Sequence, residues 1–350
     1  MAEAGPRVVA WETTRRCVLQ CRHCRGAARD TEYAGELSTA EGVRLIDAIA
    51  DYAQPVLILT GGEPMSRSDI YDLARHATDR GLRTVMAPCG HLLTSETARR
   101  LSAAGIRRIS ISLDGADAPT HDTFRGAPGA FESALRGLRA AREAGLEFQI
   151  NTTVSRHNVG QLPAILDLAV RLSAAAVDVF FLVPTGRGAA LRDLEISADE
   201  YERTLQWIAA TAARLPVPLK TTCAPHYARV AAAAGAAAGR TAGRPLAAGC
   251  LAGRGFVFIS HRGVLQPCGF LDVACGDLRG GGFDFRALYE TAPVFRALRD
   301  VDAYRGKCGY CEYRRACGGC RARAYAATGN YLQAEPACAY VPSRARVDAG

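Results

Sequence analysis

The sequence predicts an α/β protein: a partial (β/α)6, TIM-like barrel over residues 1–214, then a cysteine-rich C-terminal domain. Three observations predict it. Apolar strand segments alternate with helical segments from residue 8 to about 214. Residues with unusual chemistry follow the strands, where a parallel barrel places its working loops. Eight of the thirteen cysteines fall within 250–341, among glycines and few long apolar runs.

The elements follow in order. Strands are expected at Val8–Thr13, Val56–Thr60, Arg83–Ala87, Ile106–Leu113, Glu147–Val154 and Val177–Val183. Helices are expected near 39–53, 69–80, 95–104, 130–144, 161–174 and 198–214. Two begin with capping-box patterns, Ser38 with Glu41 and Ser197 with Glu200. Gly81, Gly105 and Gly145 stand where helices should stop. Strand–helix units in series imply a parallel sheet with right-handed crossovers. Residues 215–249 read as a bridge, 250–341 as a domain leaning on metal for its fold, and 342–350 as a tail.

Composition narrows the class. A hydrophobic content of 49% with mixed charge reads as globular. The N-terminus lacks a charged segment followed by an apolar run, and no apolar run reaches about 18 residues. A cytoplasmic protein without membrane contact, and a monomer, is therefore expected. Thirteen cysteines in a reducing compartment point to metal rather than disulfides. Of 43 basic residues only Lys220 and Lys307 are lysines, and the net charge is +8. No basic run is interleaved with aromatics, so nucleic acid is not an expected partner.

The motifs gather at the strand ends. "TRRCVLQCRHC" follows the first strand, "GGEP" (61–64) the second and "PCGH" (88–91) the third. "DGADAPTHDTFRG" (114–126) follows the fourth and "PTGRG" (184–188) the sixth. Cys17, Cys21 and Cys24 supply three soft ligands in a tight loop. A zinc site would need a fourth protein ligand, for which His23 is placed. A cubane held by three thiolates instead leaves one iron open to a small molecule.

Cys17-x3-Cys21-x2-Cys24 after the first strand, with GGEP after the second, resembles the radical S-adenosylmethionine (SAM) superfamily over residues 8–214. The resemblance implies a radical SAM barrel whose 4Fe-4S cluster binds SAM at its open iron and releases a 5'-deoxyadenosyl radical. Gly61 and Gly62 would let the backbone approach the methionine end of SAM. Glu63 would accept from its ammonium, and Ser112 would lie near its carboxylate or ribose. Arg125 would pair its carboxylate or form an ordinary loop salt bridge. His23 stands where the family has an aromatic near adenine.

The C-terminal cysteines resemble the SPASM extension of that superfamily, which binds two auxiliary 4Fe-4S clusters. By that pattern Cys308, Cys311, Cys317 and Cys338 hold one cluster. Cys250, Cys268 and Cys320 hold the other, with Cys275 as the expected fourth ligand, Cys223 as the runner-up and an open site as the third option. A zinc ribbon over Cys308–Cys320 is the alternative without the resemblance. Cys89 is expected as a small buried residue at a strand end.

"WETTRRCVLQCRHCRGAA", "FFLVPTGRGAAL", "KTTCAPHYARV" and the segment from "GKCGYC" to "CAYVP" resemble the alternative haem b synthases. That resemblance implies oxidative decarboxylation of two propionates of Fe-coproporphyrin III to vinyl groups. It also implies a cytosolic one-electron reductant such as a flavodoxin or ferredoxin. Arg22, Arg25 and Arg187 are expected as propionate partners, and His226 or His261 as neighbours of the porphyrin iron. A SPASM-type peptide maturase, or another porphyrin or haem d1 enzyme, shares these motifs. A non-catalytic zinc or electron-carrier protein is the reading from a different class. Only seven residues precede the first strand, too few for a peptide-recognition domain there.

Overall fold

The computed structural model describes residues 5–233 and 249–343. Ten strands form one sheet: β1 Val8–Thr14, β2 Val56–Gly61, β3 Arg83–Met86, β4 Arg108–Ser112, β5 Glu147–Val154, β6 Ala176–Phe181, β7 Leu219–Thr222, β8 Phe256–Ile259, β9 Val264–Gln266 and β10 Gly276–Asp277. Their order is β10-β9-β8-β1-β2-β3-β4-β5-β6-β7. Neighbours from β8 through β1 to β7 are parallel, while β9 and β10 pair antiparallel.

The six expected strands are β1 to β6, and helices connect them. Side-chain alternation divides the sheet into two faces. Trp11, Leu59, Ile111, Ile150 and Val177 pack beneath the helices in the main core. Their sequence neighbours, including Ser112, Asn151 and Asp178, turn to the concave side. The helix Thr39–Tyr52 starts at Ser38 with a complete capping box to Glu41. At Ser197 the hydroxyl accepts from Glu200 N at 3.2 Å.

Three features depart from the expected layout. Residues 215–249, read as a bridge, contain a seventh parallel strand, β7, whose Lys220 pairs in register with Asp178 of β6. The helix Tyr227–Ala233 follows it, and 234–248 lie outside the described residues. A four-residue strand set between prolines carries little periodicity, so this one was hidden. Next, the loop 114–126 contains a helix, Ala118–Arg125, capped by Asp117 accepting from Thr120 N at 2.8 Å.

The third departure concerns residues 250–300, which do not rest on metal alone. β8 pairs with β1, Val8 opposite Phe256 and Trp11 opposite Ile259. Val257, Ile259, Phe285 and Phe295 belong to the main core. Among the described residues no helix is long and apolar enough to cross a membrane.

Candidate functional site

The loop after β1 is built around its cysteines. Cys17 and Cys21 are buried and Cys24 is half-buried. Cys17 N donates to Arg29 O at 3.0 Å, and Ala28 N donates to Cys24 Sγ at 3.4 Å. Gly61 and Gly62 lie directly beneath it. A Cβ on Gly61 would meet Thr14 O at 2.3 Å, and one on Gly62 would meet Arg16 O at 2.3 Å. Their lack of a side chain therefore seats the cysteine loop on β2. The expectation placed that need at SAM; in the structure the chain's own backbone imposes it.

Glu63 is 1% exposed. Oε1 accepts from Met65 N at 2.9 Å and Oε2 from Cys89 N at 2.7 Å. Each carboxylate oxygen keeps a further lone pair. Cys89 Sγ lies 2.7 Å from His91 Nδ1, and its thiol also hydrogen bonds Cys17. Cys89 thus lies at the mouth, where its place after the third strand puts it, and is bonded to the cysteine loop.

A cleft of about 350 Å³ opens here, lined by Leu19, Cys89, His91, Ser112, His121 and Arg125 among others. It brings Ser112 and Arg125 beside the cysteine loop, as expected. Arg125 is nevertheless heavily committed. Its Nη2 pairs with Asp114 at 2.5 Å, and its Nη1 donates to Cys21 Sγ at 3.6 Å. Asp114, fully buried, also accepts from Thr153 N at 2.7 Å. Burial works to raise its pKa, but Arg125 and then His23 more than offset that and hold it below the usual range. Sequence reasoning missed Asp114; its signal was the Asp-Gly at a strand end facing an arginine eleven positions on.

His23 stacks on Phe124 with centroids 4.1 Å apart, and Phe124 stacks on His157. Its Nε2 faces Asp114 at 3.7 Å. Burial pulls its pKa down to about 4, so the ring is neutral near pH 7. This packing bears on the zinc alternative. Tetrahedral zinc with bonds of about 2.3 Å needs sulfurs about 3.8 Å apart. Among the described residues, only Glu63, Cys89 and His91 offer three ligand atoms mutually within 4.8 Å. Among the described residues none of the three cysteine sets closes that tightly.

Three expected substrate residues are committed elsewhere. Arg187 Nε donates to Cys21 O at 2.8 Å and Nη1 to Ala28 O at 2.5 Å, while its backbone N–H reaches Cys24 O at 3.0 Å. It clamps the cysteine loop instead of reaching outward. Arg25 pairs with buried Glu12 at 2.8 Å and lies over the Phe258 ring at 4.2 Å. His261 Nδ1 sits 2.8 Å from the same Glu12, so that ring nitrogen is already engaged. Burial opposes ionisation of Glu12, but Arg25, His261 and Arg15 hold the carboxylate far below its usual range. Arg22 remains exposed, with its backbone N–H on Phe124 O.

The auxiliary cysteines form two groups. Cys308, Cys311, Cys317 and Cys338 line one cavity, as expected. Cys308 Sγ accepts from Arg321 Nη2 at 3.5 Å and Glu335 N at 3.4 Å. The other group brings together the runner-up, Cys223, and not the expected Cys275. Cys223, Cys250, Cys268 and Cys320 pack together in one apolar cluster. The Cys223 thiol hydrogen bonds Cys320, lowering the Cys320 pKa to about 7 and pushing that of Cys223 well up. Cys275 instead belongs with the main core, its thiol 3.7 Å from Val273 O. Burial alone pushes Cys275 up to about 12.

The reason is topological. Cys223 directly follows β7, with a left-handed φ of 58° that turns the chain, and β7 is the strand the sequence hid. Between the groups, Arg323 and Glu335 form an ion pair at 3.1 Å, with both side chains essentially buried. Glu335 accepts from Cys320 N at 2.7 Å, and Arg323 donates to Cys223 O at 3.2 Å. His226, expected near a porphyrin, instead lines the outer cavity with Cys308, Cys311, Cys317 and Cys338.

Comparison with known proteins agrees with this geometry. The model of the radical SAM superfamily matches residues 11–169. The AdoMet-dependent heme synthase of Methanosarcina barkeri is 49% identical over 346 residues, covering 97% of this chain and 98% of that protein. The AdoMet-dependent heme synthase of Nitratidesulfovibrio vulgaris is 47% identical over 344 residues, covering 97% and 93%. Streptococcus suis SuiB bound to S-adenosylmethionine shares the fold, with a TM-score of 0.76 at 16% identity over 96% of this chain and 78% of that one. A cysteine loop seated on Gly-Gly-Glu, two further thiol groups and a kinship that runs the length of the sequence have one source: the chain belongs to the radical SAM superfamily, in the family of the AdoMet-dependent heme synthases.

Proposed function

We propose that this chain makes haem b from Fe-coproporphyrin III by oxidative decarboxylation of two propionates to vinyl groups. The observation that supports it most is the near-complete, 47–49% identity to two heme synthases together with the three thiol groups. Cys17, Cys21 and Cys24 would hold the SAM-binding 4Fe-4S cluster. Cys223, Cys250, Cys268 and Cys320 would hold an inner auxiliary cluster, and Cys308, Cys311, Cys317 and Cys338 an outer one. Bound there, the clusters and SAM supply a hydrogen-abstracting radical and a sink for the electron that each loss of CO2 leaves.

The residues have separate tasks. Glu63, fixed by two backbone donors, offers its remaining lone pairs to the SAM ammonium. Ser112 lines the cleft at the level where SAM would lie. With Arg187 and Arg25 committed inward, Arg22, Lys220 and Arg136 of the cleft wall are among the cations open to propionates. Ser112, Asn151, Asp178 and Lys220 pair in register across β4 to β7 and form one polar row on the concave face. Lys220 Nζ donates to Gln149 Oε1 at 3.4 Å, a weak bond that a carboxylate can replace. A cytosolic flavodoxin or ferredoxin would deliver electrons.

The test is an anaerobic assay of reduced enzyme with SAM and Fe-coproporphyrin III. Haem b should form by way of a monovinyl intermediate, with two SAM cleaved per haem. Deuterium on the ring-adjacent propionate carbon should appear in 5'-deoxyadenosine. Cleavage of SAM without any porphyrin product would turn the reading toward the peptide-modifying members of the superfamily.

A further inference from the structure

Beside the outer auxiliary group lies a buried imidazole that the proposed chemistry leaves unused. His226 is 2% exposed, just before the helix Tyr227–Ala233, with its ring edge-on to Tyr201 at 4.9 Å. Neither ring nitrogen has a hydrogen-bond partner. A neutral imidazole still carries one N–H, and a buried donor without an acceptor is rare and costly. The ring lines the cavity shared by Cys308, Cys311, Cys317 and Cys338.

The cationic side chains around that cavity are already spent. Arg229 pairs with Glu202, Lys307 donates to Cys338 O, and Arg314 donates to Asp302 at 2.9 Å. What the cavity offers an unspent donor is sulfur. We propose that the His226 ring N–H donates a hydrogen bond to a thiolate or sulfide of the 4Fe-4S cluster held by Cys308, Cys311, Cys317 and Cys338, and so sets that cluster at a higher reduction potential. Four cysteines complete the coordination of a cubane, so the imidazole has a donor's place and not a ligand's. Hydrogen bonds to cluster sulfur favour the more negative, reduced state.

The surroundings point the same way. The outer group already collects donors from Arg321 Nη2 and Glu335 N on Cys308 and from Gly319 N on Cys317. Backbone N–H groups reach the inner group as well, at Cys250, Cys268 and Cys320, but there the nearby Arg323 guanidinium is directed at Glu335 and carbonyl oxygens. His226 would add a second side-chain donor to the outer cluster, beside Arg321, and so move that cluster's midpoint upward.

The proposal rests on the outer ligand set assigned above and not on the identity of the substrate. It is tested on the full chain, reconstituted anaerobically, by counting iron and following each cluster's EPR signal in a potentiometric titration. His226→Phe keeps the bulk and removes the donor; His226→Gln keeps an N–H donor. With iron unchanged, the Phe variant should move one cluster's midpoint to more negative potential, leave the other two in place, and be largely reversed in the Gln variant. An unmoved midpoint at full iron overturns the proposal. Loss of about four irons in both variants would make His226 a ligand or a packing residue and overturns it equally. A variant-free check is the wild-type protein labelled with 15N-histidine: the reduced outer cluster should show a weak 15N coupling, and its absence counts against the hydrogen bond. A wild-type chain lacking the outer cluster would defeat the ligand assignment itself, which the iron count reports separately.

Discussion

The radical-generating loop and the inner auxiliary group hold thiols in opposite ways. Cys17, Cys21 and Cys24 come from one short loop, which Arg187 and Arg125 tie down and which rests on two glycines. Cys223, Cys250, Cys268 and Cys320 come from four distant points of the chain. The buried Arg323–Glu335 pair links them, reaching Cys223 through its carbonyl and Cys320 through its N–H. The first arrangement is local, so its spacing announces it. The second exists only once β7 and β8 have joined the sheet at opposite ends of the parallel array.

The comparison breaks first at the loop. Replacing Cys17, Cys21 and Cys24 together by Ala should abolish SAM cleavage while about eight of about twelve irons remain, counting four per cubane. The auxiliary groups draw on no residue before Cys223, so their EPR signals should persist. If this variant still forms 5'-deoxyadenosine, the radical source lies elsewhere.

Next comes the inner group. Cys223→Ala should remove about four irons and its EPR signal, while Cys275→Ala should leave both unchanged. The opposite result would restore Cys275 as a ligand despite its place in the main core.

Arg187 sharpens the local side of the comparison. It bonds Cys21 O and Ala28 O, and each such charge-assisted bond contributes about 1.5–3 kcal/mol. Arg187→Ala should therefore loosen the loop, lowering both its iron content and SAM cleavage in the absence of substrate. Were Arg187 a propionate anchor, substrate-free SAM cleavage would be spared and only porphyrin turnover would fall.

These contrasts show what the sequence made legible. The six parallel units, the cysteine loop with GGEP and the outer thiol group were readable because each is a short-range pattern. Pairing choices were not. Gly62 is required by Arg16 O, a contact across two strands that no spacing rule reports. Arg187 and Arg25 read as mouth cations, yet buried carbonyls and Glu12 claim them. Asp114, passed over as a site residue, anchors both Arg125 and the ring of His23.

The smallest effect lies in the polar row beyond the thiols. Asp178 on β6 accepts from Thr222 Oγ1 at 2.9 Å and 3.0 Å, yet burial raises its pKa to about 6 from an ordinary value near 3.8. Thr222 and Lys220 only partly offset that burial. A carboxyl whose folded pKa lies above its unfolded one binds more protons in the folded state between those values. Stability therefore falls as pH rises from about 4 to about 6, and the penalty is complete above that. Asp178→Asn, which keeps an acceptor for Thr222 without the charge, should remove the penalty. Discounted for partial exposure, the gain should approach roughly 2 kcal/mol above pH 6 and shrink toward zero near pH 4. Thermal unfolding of both proteins across pH 5 to 8 reads it as a widening gap in Tm. A gap that stays constant with pH would mean that Asp178 is ionised without cost, as a carboxylate held close to Lys220 would be.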